Sequence, residues 1–253
     1  MPASTAGEYL LVANSAAHPA DPSARRSGRV LRELIHHPEH GPLPALLLGL
    51  TVVTGIVDAV SILSLGRVFV ANMTGNIVFI GFALARAPGF SLNASLSALA
   101  GFLLGALLAG RLIRAITDDR RLFATGTVLE VALLALALID LVAHHDRTGG
   151  LTALLVAGVL AGALGLQNGV VRRLGIPDLT TTVLTMTLTG LAADRRSGGA
   201  TARRLLALLT MLAGAAGGAV LVLNWGPQWA VLSAFVLAGA VSGGAQLAAD
   251  RRL

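Results

Sequence analysis

The sequence predicts an all-α polytopic membrane helix bundle: six spans plus two short re-entrant or broken helices, arranged as two homologous, inverted halves. Three observations carry this expectation. The chain has 253 residues, of which 55% are hydrophobic and 13% charged, with a mean hydropathy of +0.76, far from the composition of a soluble domain. From Pro44 onward, apolar stretches of roughly 20 residues recur, the length that crosses a hydrocarbon core of about 30 Å. Finally, the string G-I-V-D-A-V-S-I-L-S-L-G-R-V-F-V-A-N-M-T-G-N that starts at Gly55 returns in diverged form from Gly165. In both copies a Gly stands three residues before a polar residue (Asp58, Asn168), a Leu-Gly pair follows (Leu65-Gly66, Leu174-Gly175), and a Thr ends the match (Thr74, Thr185).

Residues 1–43 read as a disordered, basic cytoplasmic arm. They lack the apolar core and small-residue cleavage site of a signal peptide, and Arg25-Arg26 is read as part of the arm rather than as a twin-Arg signal. The membrane domain, 44–253, divides into halves at about 44–143 and 151–249. Eight apolar segments follow in order: 44–65, 70–87, 92–113, 122–143, 151–171, 180–193, 205–223 and 229–249. Two are irregular. The segment at 70–87 opens with Asn72, Thr74, Gly75 and Asn76, and the short one at 180–193 carries Thr180, Thr181, Thr182, Thr185, Thr187 and Thr189. These are the segments that the repeat relates, and paired interrupted segments are the sequence mark of a transporter-type binding site.

Arginine placement arbitrates the topology, because cytoplasmic loops gather positive charge. With eight crossings and the N-terminus inside, twelve of the nineteen basic residues, all of them Arg, fall inside and seven outside. With six crossings and two re-entrant segments only Arg67, Arg86 and Arg147 are outside. The six-span arrangement is preferred; eight short spans in two parallel repeats are the alternative. Both termini are then cytoplasmic.

The run from Asp58 to Asn76, with G-L-Q-N from Gly165 and the Thr-rich stretch after Pro177, resembles the YoaK family of bacterial integral membrane proteins, a domain of unknown function. The resemblance extends from about Pro44 to Ala248, and V-A-N-M-T-G-N is its specific part. It implies a polytopic protein of the bacterial inner membrane and brings no substrate or catalytic residue to carry over.

Candidate binding or gating residues follow from what is costly in a membrane. Asp58 lies about two thirds of the way along the first span, where a carboxylate must face protein or water. It reads either as a proton or cation site or as an acceptor that fixes the following loop. Glu130 is a second intramembrane carboxyl. Asn72, Thr74, Gly75 and Asn76 combine capping residues with a flexible Gly, as expected where a half-helix starts, and such a start suits an anion or polar solute. Thr185 and Thr187 serve the opposing segment, and Gln167 and Asn168 add amides beside it. For all of these, capping and helix packing is the competing structural reading. The pairs Gly101-Gly105, Gly158-Gly162, Gly214-Gly218 and Gly239-Gly243 read as intramolecular packing, with a homo-oligomer face as the alternative. Trp225 and Trp229 read as interfacial anchors.

Other classes are set aside. With no Cys there is no disulfide or thiolate chemistry. His36, His37, Glu39 and His40, and His144, His145 and Asp146, match no zinc spacing. The charge of +6 is loop charge rather than a nucleic-acid footprint. No nucleotide loop or nucleophile elbow is present, so neither an enzyme activity nor a cofactor is expected. The expected partners are the lipid bilayer and a small solute of unknown identity. The expected function is a transporter or channel-like permease, with a membrane scaffold or partner subunit as the alternative.

Overall fold

The computed structural model describes residues 41–144, 150–176, 184–193 and 198–250, and these are helical apart from short connections. The helices are α1 (Leu43–Ser64), α2 (Met73–Leu84), α3 (Leu92–Ala115), α4 (Asp119–Ala143), α5 (Leu151–Leu174), α6 (Leu184–Ala193), α7 (Gly198–Trp225) and α8 (Pro227–Asp250). Among the described residues, six helices are long and apolar enough to cross a membrane. The protein is an all-α multi-pass membrane bundle. The expectations placed on residues 1–40, on His145, Asp146, Arg147 and on Thr180 to Thr182 lie outside the described residues.

Local chemistry sets the helix ends. Ser91 accepts from the Ala94 N–H and starts α3; Asp118 accepts from the Arg121 N–H at 2.8 Å and starts α4. α5 stops at Gly175, whose left-handed φ of +61° is the conformation that a helix C-terminus asks of Gly. α7 and α8 are parted by Gly226, φ +101°, and Pro227 opens α8 in the first turn, where a backbone N–H has no intrahelical acceptor to lose.

Glycine and alanine decide which helices meet. α3 lies along α5: a Cβ on Gly105 would overlap the backbone of Gly162, one on Gly165 the backbone of Phe102, and one on Gly169 the Cβ of Ala109. α1 lies along α7 in the same manner, with Gly214 against the backbone of Val52 and Gly218 against Ile56 and Ala59. Residue numbers rise together in both pairs, so each runs parallel. α4 and α8 pack with numbers running oppositely, since Thr127 Oγ1 donates to Ser242 Oγ at 3.3 Å and Arg120 reaches the carbonyl of Ala248 at 3.2 Å. α8 also packs on α1, and α4 on α5.

This pattern decides the number of crossings. Eight alternating crossings would make α4 and α8 parallel; they are antiparallel, as six crossings require. α2, with 12 residues, covers only about 18 Å at 1.5 Å per residue, too little for a 30 Å core. Its N-terminal end returns to the depth of Asp58, and its C-terminal end reaches the turn before α3.

Candidate functional site

The stretch from Gly66 to Ala71 leaves α1 and runs back into the protein outside the hydrogen-bond ladders of α1 and α2, so its backbone polar groups need partners from elsewhere. Asp58, on the preceding helix and only 8% exposed, provides two of them: its Oδ1 accepts from the N–H of Val70 at 3.2 Å and of Ala71 at 3.3 Å. Asn76, fully buried on α2, provides the next pair. The Phe69 N–H donates to Asn76 Oδ1 at 2.9 Å, and Asn76 Nδ2 donates to the Phe69 carbonyl at 2.6 Å. The amide thus acts on Phe69 as a neighbouring strand would, donating and accepting at once, which a carboxylate cannot do.

The motif V-F-V-A-N-M-T-G-N becomes legible residue by residue. Asn72 caps α2 by accepting from the Gly75 N–H at 3.4 Å. Gly75 has no side chain because a Cβ there would stand 2.6 Å from the Phe69 ring. Phe69 in turn stacks on Phe79, ring centroids 5.7 Å apart, so the loop is clamped against α2 on its apolar side.

Behind this clamp lies a cavity of about 770 Å³, lined by Thr54 and Asp58 of α1, Phe69, Ala71 and Asn72 of the connecting stretch, Met73, Thr74, Gly75 and Val78 of α2, Phe102 of α3, Thr185 of α6 and Met211 of α7. This is the size range of small-molecule sites. The N-terminal ends of both short helices border it: Thr74 and Thr185 sit in the first turns of α2 and α6. Helix starts carry unsatisfied N–H groups and the positive end of the macrodipole.

Of the candidates named from the sequence, Asp58, Asn72, Thr74, Gly75 and Thr185 line this cavity. The other five do not line it. Asn76 stands one layer back and holds Phe69. Gln167, 3% exposed, bonds through Nε2 to Thr54 Oγ1 at 3.2 Å, so it reaches the lining at second hand. Asn168 donates to the carbonyl of Leu164 in its own helix at 2.8 Å. Thr187 is buried on α6, and Glu130 is buried between helices on α4. Thr54, Phe69, Met73, Phe102 and Met211 line the cavity and were not singled out from the sequence. An apolar side chain in a hydrophobic span carries no local signal of facing a cavity, and Thr54 looks like any helical Thr, bonding back to the Leu50 carbonyl at 2.9 Å. Among the described residues no group of acidic or His side chains could hold a metal.

The family described as "Protein of unknown function (DUF1275)" matches residues 46–243. The UPF0700 transmembrane protein YoaK of Bacillus subtilis (strain 168) is 33% identical over 149 residues, which cover 59% of this chain and 65% of that protein. No solved structure matches the chain. The shared region thus spans about two thirds of the length of the relative it matches. The family match covers most of the chain, from the first turn of α1 to late in α8, and on that match the protein belongs to the DUF1275 family of multi-span membrane proteins.

Proposed function

We propose that the protein is a small-solute transporter or channel-like permease of the bacterial inner membrane, with both termini in the cytoplasm and its path between two inverted repeat halves. One observation carries the proposal: Thr74 and Thr185, matched residues of the two sequence copies and first-turn residues of the two short helices, line one cavity. A cavity bordered by two half-helix starts at membrane depth has the arrangement by which inverted-repeat carriers hold a solute. The helix ends favour an anionic or strongly polar group, and the Thr hydroxyls can donate to it or accept from it.

The packing supports a repeat. α3 along α5 corresponds to α1 along α7, the contact of Gly105 with Gly162 corresponds to that of Gly214 with Val52, and Ala109 with Gly169 corresponds to Gly218 with Ala59. α4 and α8 are each other's counterparts and pair directly. Such exchange of partners is what a two-fold axis in the membrane plane produces. Asp58 has a defined part in this reading, holding the loop that forms one wall; Asn168 at the matched position bonds its own helix, so the two walls are held differently. No catalytic role is proposed for any residue.

The test is flux in proteoliposomes loaded with small anionic and neutral polar solutes. We expect saturable flux of at least one solute class, reduced tenfold or more when Thr74→Val and Thr185→Val are combined in a protein that keeps its wild-type melting temperature. Absence of flux for every solute, together with stoichiometric copurification of another membrane protein, would favour the scaffold reading.

A further inference from the structure

Among the described residues, two buried side-chain oxygens without hydrogen-bond donors stand at nearly the same depth of the bundle. Glu130 on α4 is 1% exposed, and its Oε1 has no hydrogen-bond partner among the described residues; Gln167 on α5 is 3% exposed, and its Oε1 has none among them either. The remaining end of the Gln167 amide is occupied, donating to Thr54 Oγ1 at 3.2 Å, and Thr54 lines the cavity. An acceptor without a donor in an apolar interior is costly, and a carboxylate more so.

Three helix registers bring Glu130 to this level. Gly126, one turn before it, packs beneath Val170 of α5, where an added Cβ would come within 3.0 Å of Val170 Cγ2; moving one turn along the antiparallel pair sets Glu130 opposite Leu166, the neighbour of Gln167. Thr127 bonds to Ser242 of α8, which sets Glu130 level with Ala238 and Gly239. α8 packs in turn on α1, where Gly49 meets Val241, and the same counting reaches α1 at Val52, half a turn from Thr54. The face of α4 that carries Glu130 lies between those carrying Gly126 and Thr127, so it is directed between α5 and α8.

We propose that Glu130 is a proton-binding site, joined to the cavity by a hydrogen-bonded line through Gln167 and Thr54. A proton on Glu130 turns an unpartnered acceptor into an O–H donor, and Gln167 Oε1 is the acceptor that lacks one. The line then reads from the Glu130 O–H to Gln167 Oε1, from Gln167 Nε2–H to Thr54 Oγ1, and from the Thr54 O–H to the Leu50 carbonyl. No bond to hydrogen is broken along it: the amide transmits orientation and does not conduct the proton. A polar solute that draws on the Thr54 hydroxyl competes with Gln167 for it, and that competition changes how firmly Glu130 holds its proton. By linkage the proton changes solute affinity by the same factor. This coupling rests on the transport reading of the cavity; the proton site itself does not.

The charged groups on the neighbouring elements are separate from this seam. Arg172 and Arg173 of α5, Arg111 and Arg114 of α3, and Asp250 of α8 are exposed. On α4 itself, Asp119 pairs with Arg173 at 3.7 Å and Asp140 with His144 at 3.2 Å near the two helix ends, and Arg120 and Arg121 lie in the first turn. Asp58 of α1 is one turn beyond Thr54 and is engaged by Val70 and Ala71.

The test is infrared difference spectroscopy of the full-length protein in proteoliposomes, stepped across pH. We expect a protonated-carboxyl C=O band that disappears in Glu130→Gln and moves to higher frequency in Gln167→Leu, which keeps Glu130 but removes its acceptor; Thr54→Val moves it in the same direction by less. If Glu130→Gln does not fold, the Gln167 and Thr54 variants still decide, because only a carboxyl bonded along this line responds to them. A wild-type spectrum without the band, or a band indifferent to Gln167→Leu, overturns the proposal. Flux measured on the same liposomes separates the two readings. A responsive band without flux of any solute leaves the proton site standing and removes the transport path, whereas flux without the band removes the proton site alone.

Discussion

At the scale of single residues, the loop before α2 depends on side chains that replace a missing backbone neighbour. Asn76→Ala leaves the N–H and carbonyl of Phe69 without partners at membrane depth, and we expect a loss of about 1–3 kcal/mol, read as a lower melting temperature in detergent. Asn76→Asp should recover little of it, because a carboxylate cannot donate to the carbonyl. Asp58→Asn keeps an acceptor oxygen but weakens it and adds a donor that has no assigned partner, so a fall of about 1–3 kcal/mol is expected. Unchanged melting in both Asp58→Asn and Asn76→Ala would remove the clamp from the account. The sequence shows that Asp58 and Asn76 matter, since a carboxyl and an amide in apolar spans are conspicuous. It does not show that each holds a stretch several residues away in the chain. That follows from the return of residues 65–72 to the depth of α1, a property of the path rather than of any residue.

Among the helices, small residues behave in two ways although their spacing is the same. Gly105 and Gly162 lie in direct backbone contact, whereas none of the described residues stands within 4 Å of a Cβ added at Gly239 or Gly243. Gly105→Leu should therefore abolish or severely reduce the folded fraction, since such overlap exceeds the overpacking that cores absorb for about 1–3 kcal/mol. Gly239→Ala with Gly243→Ala should leave the melting temperature of the monomer unchanged or slightly higher, because Ala is the better helix former by about 1 kcal/mol per site. Size-exclusion chromatography with melting curves distinguishes the pair. Four G-x-x-x-G strings read identically in the sequence because the motif records only that a close approach is permitted. Whether a helix stands there depends on the arrangement of the whole bundle. The helix ends depend on less: Ser91, Asp118, Gly175 and Pro227 act locally, and local signals survive in any packing. The apolar segments read from the sequence nevertheless place the start of α4 at 122 and of α8 at 229 rather than at Asp119 and Pro227.

For the whole molecule, the arginine distribution and the antiparallel seam of α4 and α8 agree on six crossings, the first from charge alone and the second from packing alone. Since the chain has no Cys, single introduced cysteines report topology cleanly. Thr117→Cys and Gly175→Cys should resist an impermeant external thiol reagent in intact cells, and Pro88→Cys, in the turn between α2 and α3, should react; labelling of Thr117→Cys from outside would restore the eight-crossing arrangement. The parallel pairs α3 with α5 and α1 with α7 have a further consequence for how the protein is made. Each joins a helix of the first four to one of the last four, so when α4 leaves the ribosome the glycine faces of α1 and α3 still lack the helices that cover them. The early chain must wait in the bilayer as loosely associated segments, open to proteolysis or to insertion factors, until α5 and α7 arrive. Two fragments divided between α4 and α5 should then be degraded when expressed singly and persist as a stable complex when expressed together.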